Sequence, residues 1–176
     1  YQYSLVTGDN QILKDLYPEL KENYIEWKKE KFIPETGLFW QTDNRDGMEI
    51  SIGGNGFRAT INSYMAAEAA ILSRIAEWDN DPQAKTLKEE AEKLKNNLFK
   101  KLWDQDAEFL KVLPQETNAR LQNVRELHGY TPWAFDLADP EYAVAWKYLM
   151  DTRYFLAPYG PTTAEQCHPE FKVVYE

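Results

Sequence analysis

Apolar side chains recur at three- and four-residue steps in four stretches of the chain, which is the spacing of one face of an α-helix. The first stretch covers residues 10–31, where Asp9 is a candidate N-cap and Pro18 is expected to mark a restart of the helix. Its apolar face consists of Leu13, Leu16, Leu20, Tyr24 and Trp27. This pattern predicts a long amphipathic helix.

The other three helices are predicted over residues 60–79, 82–103 and 140–151. Asp81 and Asp139 precede the last two as candidate N-caps. The expected buried faces are Ile61, Tyr64, Met65, Leu72, Ile75 and Ala76 in the second helix, Leu87, Ala91, Leu94, Leu98 and Leu102 in the third, and Tyr142, Ala143, Trp146, Leu149 and Met150 in the fourth. The short link between the second and third helices predicts an antiparallel hairpin.

A weak internal repeat follows the first and third helices. Residues 32–40 and 102–110 each read as an aromatic residue, a tight polar turn, and an apolar pair, which predicts a small two-stranded turn after each helix. Repeated units of this kind are typical of a helical array or toroid. Residues 37–59, 113–137 and 152–174 are poor in helix signals but rich in aromatic residues, so we expect long ordered loops.

Composition narrows the classes of partner. The chain has 176 residues and a net charge of −9, with lysines interleaved among glutamates, which argues against nucleic acid and anionic membranes as partners. Aromatic residues make up 14% of the chain, which fits a surface for flat ligands and equally a tightly packed helical protein. With one cysteine, Cys167, and two histidines, we expect no metal and no cofactor.

The stretch of residues 37–49 concentrates candidate chemistry, because it places aromatic rings beside two aspartates, an arginine and a glutamate. Aromatic faces and hydrogen-bonding carboxylates are the mixture that a sugar-cleaving site requires, and one carboxylic acid must protonate the leaving oxygen. Asp43 or Asp46, set among rings, would lose hydration, and its pKa would rise. Arg45 would hold the other aspartate ionised. The alternative is that both aspartates only bind backbone amides of a turn.

Two further polar features lie close by in the sequence. The glycine-rich run at residues 53–56 lacks the lysine and hydroxyl residue of a phosphate-binding loop, so it is better interpreted as a tight turn beside a ligand. Arg58 and Asn62 lie at the start of the second helix, where polar side chains either face a ligand or act as a cap and surface ion pair. Residues 129–133 and 157–166 are aromatic and proline-rich corners, suited to the walls of a cleft.

The sequence blocks at residues 37–49, 58–65, 129–133 and 157–166 resemble, in this order, the six-hairpin glycosidases. They are most similar to proteins related to mannosylglycerate hydrolase and to glycoside hydrolase family 63. The resemblance implies an all-α fold, namely a portion of an (α/α)6 toroid with long loops and short two-stranded turns at one end. Residues 1–176 would then be part of a catalytic domain that continues at both ends.

The resemblance also implies an inverting reaction on an α-glucoside or α-mannoside. The general acid would be Asp46, in the Arg45–Asp46 pair, with Asp43 as the reserve candidate. The resemblance implies that the base lies in the part of the domain that follows this chain, and Glu176 is not assigned that role. Substrate-binding residues would be Trp40, Gln41, Arg45, Arg58, Asn62, Trp133, Tyr159 and Glu165.

Two alternatives stay open at this level. The chain would serve either as a non-catalytic carbohydrate-binding module or as a helical scaffold for protein interactions. The expected partners are a carbohydrate substrate and the remainder of the same catalytic domain. Analogy with bacterial enzymes that degrade polysaccharides favours an extracytoplasmic location, either periplasmic or secreted.

Overall fold

A computed structural model of the chain describes residues 1–48, 50–116 and 118–173. Four helices precede residue 103: α1 (Gln2–Thr7), α2 (Gln11–Lys31), α3 (Ala59–Trp78) and α4 (Ala84–Leu102). The C-terminal part has a short helix α5 (Thr131–Ala134) and two 3₁₀ helices, Leu127–Tyr130 and Pro140–Tyr148. Among the described residues, none of the helices has both the length and the apolarity needed to cross a bilayer.

The predicted helices over residues 10–31, 60–79 and 82–103 are confirmed within two residues at each end. Helix α2 runs without a break through Pro18, so the expected restart is wrong. The fourth predicted helix is a 3₁₀ helix and leaves Trp146 and Met150 exposed. Over so short a stretch, the apolar spacing of a 3₁₀ helix is nearly that of an α-helix, and the pattern alone does not separate them.

Helix α3 is the central element of the core. It buries residues on most of its sides, whereas α4 buries a single stripe, because α3 packs between α4 and α2. Small residues such as Ala66, Ala69 and Ala76 are fully buried and let the neighbouring helices approach closely. The hydroxyl of Tyr24 on α2 donates a hydrogen bond to Glu90 on α4 at 2.6 Å, which ties the outer two helices together.

Short antiparallel strands follow the helices at the same end of the molecule. Strands β1 (Phe32–Ile33), β2 (Leu38–Gln41) and β3 (Gly56–Phe57) form one sheet, and β4 (Trp103–Asp104) pairs with β5 (Phe109–Leu110). The two predicted turns after α2 and α4 are therefore confirmed. A last pair, β6 (Leu156–Ala157) and β7 (Gly160–Pro161), lies near the C-terminus. Helices with short strands at one end are compatible with a portion of a helical toroid.

Candidate functional site

A cavity of about 800 Å³ opens between the end of α2, strand β2 with its following loop, and the first turns of α3. Three partly exposed rings line it, from Trp27 on α2, Trp40 on β2 and Tyr64 on α3. Flat aromatic surfaces beside polar groups are the usual lining of a small-molecule site. The polar side chains around the cavity are Glu30, Lys31, Gln41, Thr42, Arg45, Asp46, Thr60 and Glu68.

The loop of residues 42–55 joins β2 to β3 and carries the predicted acids. Asp43 accepts hydrogen bonds from the backbone N–H and the hydroxyl of Ser51, at 3.0 and 2.8 Å, and from the backbone N–H of Asn44. Burial alone would raise the pKa of Asp43, but these hydrogen bonds and the charge of Arg58 outweigh it and lower the pKa below its ordinary value. Asp43 is thus held as a carboxylate that shapes the loop.

Arg58 lies at the N-terminus of α3, and its side chain contacts the 42–55 loop from the side of this helix. Its side chain has no exposure, and its Nε and Nη2 donate to the two carboxylate oxygens of Asp46, at 2.8 and 3.3 Å. Its Nη1 donates to Ser51 Oγ, to the carbonyl of Gly54 and to Asp43. The sequence-based expectation gave Arg45 the part of aspartate partner, whereas the structure gives it to Arg58 and leaves Arg45 exposed on the cavity wall.

Asp46 lies at the edge of the cavity, but its carboxyl group is directed inward. The side chain has no exposure, and Oδ2 also accepts the hydroxyl of Thr60 at 2.9 Å. Both oxygens accept hydrogen bonds from protein donors, and because the side chain has no exposure, the carboxyl group does not reach the open cavity in this arrangement. The role of Asp46 as a proton donor stays a prediction, and it requires that a substrate displace Arg58 or Thr60.

Asn62 was predicted to bind substrate, but the structure places it inside the core. Its Oδ1 accepts the backbone N–H of Phe39 at 2.8 Å, and its Nδ2 donates to the carbonyls of Phe39 and Arg58, both at 2.9 Å. Asn62 therefore holds strand β2 against α3. It acts on the site by fixing the strand that carries Trp40 and Gln41.

Three predicted wall residues lie away from the cavity. Trp133 packs against the rings of Tyr130 and Trp146, and Tyr159 is fully exposed in the turn between β6 and β7. Glu165 is buried and forms an ion pair with Arg125 at 2.8 Å. The structure brings together Trp40, Gln41, Arg45 and Asp46 at the cavity.

Gln41 supplies an unsatisfied acceptor at this site. The residue is buried, and its Oε1 has no hydrogen-bond partner among the described residues. A buried polar atom without a partner is costly, so a donor from a ligand would be favourable there. A sugar hydroxyl has the required chemistry.

Sequence interpretation missed the helical side of the cavity. Tyr64 and Glu68 stand one turn apart on α3, and Trp27 and Lys31 one turn apart on α2, so each pair shares a helix face. Burial raises the pKa of Glu68, partly offset by a hydrogen bond with Asn23. The available signal was a glutamate within the otherwise small and apolar residues 65–72.

Comparison with known proteins shows the family to which the chain belongs. Residues 1–175 match the family described as the mannosylglycerate hydrolase MGH1-like glycoside hydrolase domain. A solved structure named "Sialidase" superimposes with a TM-score of 0.87 at 38% sequence identity, covering 94% of this chain and 16% of that one. The chain therefore spans about a sixth of that protein, and no curated protein sequence matches it. The resemblance to six-hairpin glycosidases is confirmed, and the chain belongs to the MGH1-like glycoside hydrolase family.

Proposed function

We propose that this chain forms part of the catalytic domain of an inverting glycosidase that cleaves an α-linked glucoside or mannoside. The observation that carries the proposal is the cavity itself, which the rings of Trp27, Trp40 and Tyr64 line together with the loop that carries Asp46. Membership of a glycoside hydrolase family supports the reaction class.

The proposed proton donor lies in the loop of residues 42–55. Asp46 is the candidate that the family resemblance indicates, and Asp43 is the reserve. Glu49 is the third carboxylate of this loop and lies outside the described residues. The base is proposed to come from the remainder of the domain, since an inverting reaction needs a second carboxylate about 6.5–9.5 Å from the acid.

Two substrates with different leaving groups distinguish a proton donor from a residue that only holds the loop in place. In the full-length protein, Asp46→Asn is expected to lower kcat by about 10²-fold on a disaccharide, whose leaving oxygen needs a proton. A glycosyl fluoride needs little protonation, so its turnover is expected to be nearly unchanged if Asp46 is the acid. Equal losses on both substrates would show that Asp46 only shapes the loop. Asp43→Asn and Glu49→Gln, measured in parallel, identify the donor among the three carboxylates.

The stereochemistry of the product tests the inverting mechanism. Proton NMR on the first turnovers distinguishes α from β sugar before mutarotation. Release of the β anomer from an α-glycoside supports inversion, and release of the α anomer refutes it. Binding of sugars without any turnover would favour the non-catalytic module instead.

A second candidate is an α-glycoside that carries a carboxylate. The observation that favours it is Arg45, which is exposed on the cavity wall and forms no ion pair with any of the described residues. Arg45→Gln is expected to raise KM about tenfold for an acidic glycoside and to leave KM for a neutral one unchanged. Equal effects on both substrates would exclude this candidate.

A further inference from the structure

A carboxylate from a distant part of the chain holds the middle of the 42–55 loop. Glu126 is almost completely buried, and its Oε1 accepts the backbone N–H of Ile52 at 2.8 Å. Its Oε2 accepts the N–H of the next residue, Gly53, at 3.3 Å. Two consecutive backbone donors converge on one side chain, so this part of the loop is shaped around Glu126.

Gly53 permits this contact because it has no side chain. A Cβ atom at this position would stand 2.6 Å from Glu126 Oε2 and 2.8 Å from Val112 Cγ2, both inside van der Waals contact. Any larger residue would push the carboxylate or the loop away. Close approach, rather than phosphate binding, explains the glycine at this position.

His128 completes the surroundings of the carboxylate. Its Nε2 lies 3.3 Å from Glu126 Oε2, and both side chains are at least nine-tenths buried. Its other ring nitrogen, Nδ1, is buried and has no partner among the described residues. The contact is consistent with donation through Nε2, so the imidazole would orient the same oxygen that receives the N–H of Gly53.

The segment that offers Glu126 is itself fixed. The backbone N–H of Leu127 donates to the carbonyl of Thr163 at 2.8 Å, and that of Glu165 donates to the carbonyl of Arg125 at 3.0 Å. The side chain of Arg125 lies over the ring of Tyr148 and forms the ion pair with Glu165. Because the segment that carries it is fixed in this way, the carboxylate of Glu126 can restrict the motion of the loop that it contacts.

We propose that Glu126 is a positioning residue for the reaction, because it fixes the loop that carries the proposed proton donor. Arg58 holds the loop from the side of α3, and Glu126 holds it from the side of residues 124–128. Arg58 contacts Asp43 and Asp46 directly, and Ser51, which hydrogen-bonds Asp43, precedes the residues that Glu126 holds. This inference rests on the proposed function, and its test separates the two.

The direct test is Glu126→Gln in the full-length protein. A glutamine keeps the volume but offers one acceptor oxygen in place of two, so one of the two loop amides loses its partner. The rate of deuterium exchange in peptides that span residues 50–57 is expected to rise about tenfold. On the disaccharide, kcat is expected to fall about tenfold to a hundredfold, with KM within threefold of its starting value. Glu89→Gln, an exposed glutamate on α4, is the matched control and is expected to change neither.

A second variant keeps the proposal testable if Glu126→Gln fails to fold. Gly53→Ala retains the carboxylate and adds one methyl group against it, so faster exchange and lower kcat are again expected. A purely structural role would lower the Tm and leave kcat of the folded protein unchanged, which would overturn the proposal. Unchanged exchange at residues 50–57 would overturn it as well. If the wild-type protein cleaves no glycoside, the proposed function fails, and the exchange result then decides whether Glu126 holds the loop.

Discussion

Replacing Arg58 is the most direct test of whether its buried ion pair with Asp46 holds the loop of residues 42–55. Arg58→Met keeps much of the volume but leaves the carboxylate of Asp46 without its two guanidinium donors. Both side chains of this pair have no exposure, so water cannot replace the lost partner without opening the loop. Breaking a buried ion pair by removing one partner costs about 3–5 kcal/mol.

This free-energy cost corresponds to a measurable increase in the local opening of the 42–55 loop. At about 1.4 kcal/mol per factor of ten, a loss of about 3 kcal/mol raises the opening equilibrium of the loop by about a hundredfold. Hydrogen exchange of peptides covering residues 42–58 reads this change directly. Arg45→Met is the matched control, because Arg45 is an arginine of the 42–55 loop next to Asp46 but is exposed.

The double variant Arg58→Met with Asp46→Leu completes the cycle. Replacing both members of the buried pair by apolar residues is expected to restore much of the protection, because the buried carboxylate of Asp46 is removed together with its partner. Asp43 also loses Arg58, but it is partly exposed and keeps its hydrogen bonds from Ser51 and Asn44. If Arg58→Met alone exchanges no faster than Arg45→Met, the buried pair does not hold the loop. The interpretation of Asp46 as an anchored group would then have to be abandoned.

Four further outcomes are expected. Asn62→Ala should lower the free energy of unfolding by about 1–3 kcal/mol in a chemical denaturation series, because it leaves both backbone groups of Phe39 unpaired. Leu72→Ala should cost about 2–5 kcal/mol in the same assay, since this side chain is almost completely buried in the core. The lowered pKa of Asp43 means that its contribution to stability is present above the ordinary aspartate range and is lost as pH falls through the folded-state pKa; Asp43→Asn should flatten the rise in loop exchange measured below about pH 4. Trp27→Ala should weaken binding of a neutral sugar about tenfold by calorimetry if the cavity is the sugar site, and unchanged affinity would place the sugar elsewhere.

The long helices could be predicted from the sequence because their cores need a regular apolar stripe. The stripe of α4 is confirmed residue by residue at Leu87, Leu94 and Leu98, all of which are buried. In α2 the same reasoning is only partly right, since Leu16 and Trp27 are exposed. Periodicity shows which residues share a face, but it does not show how much of that face a neighbouring element covers.

The site could be predicted only where local sequence determines the contacts. Trp40, Gln41 and Arg45 follow one another along a strand and a loop, and they reach the same cavity. The burial of Arg58 depends on how the loop folds back over α3, and the position of Glu165 depends on an ion pair with a residue 40 positions earlier. Contacts of such long range leave no periodic signal in a single sequence.

The placement of Arg58 has a consequence for attempts to transplant the loop between relatives. Its backbone precedes α3 directly, while its guanidinium reaches back to four residues of the preceding loop, and the hydroxyl of Thr60 in the first turn of the helix adds a further contact. A graft that exchanged residues 42–55 alone would leave these donors behind in a host helix not matched to them. The smallest portable unit therefore extends through the first turn of the helix, and chimeras cut between residues 55 and 58 should lose the native loop conformation.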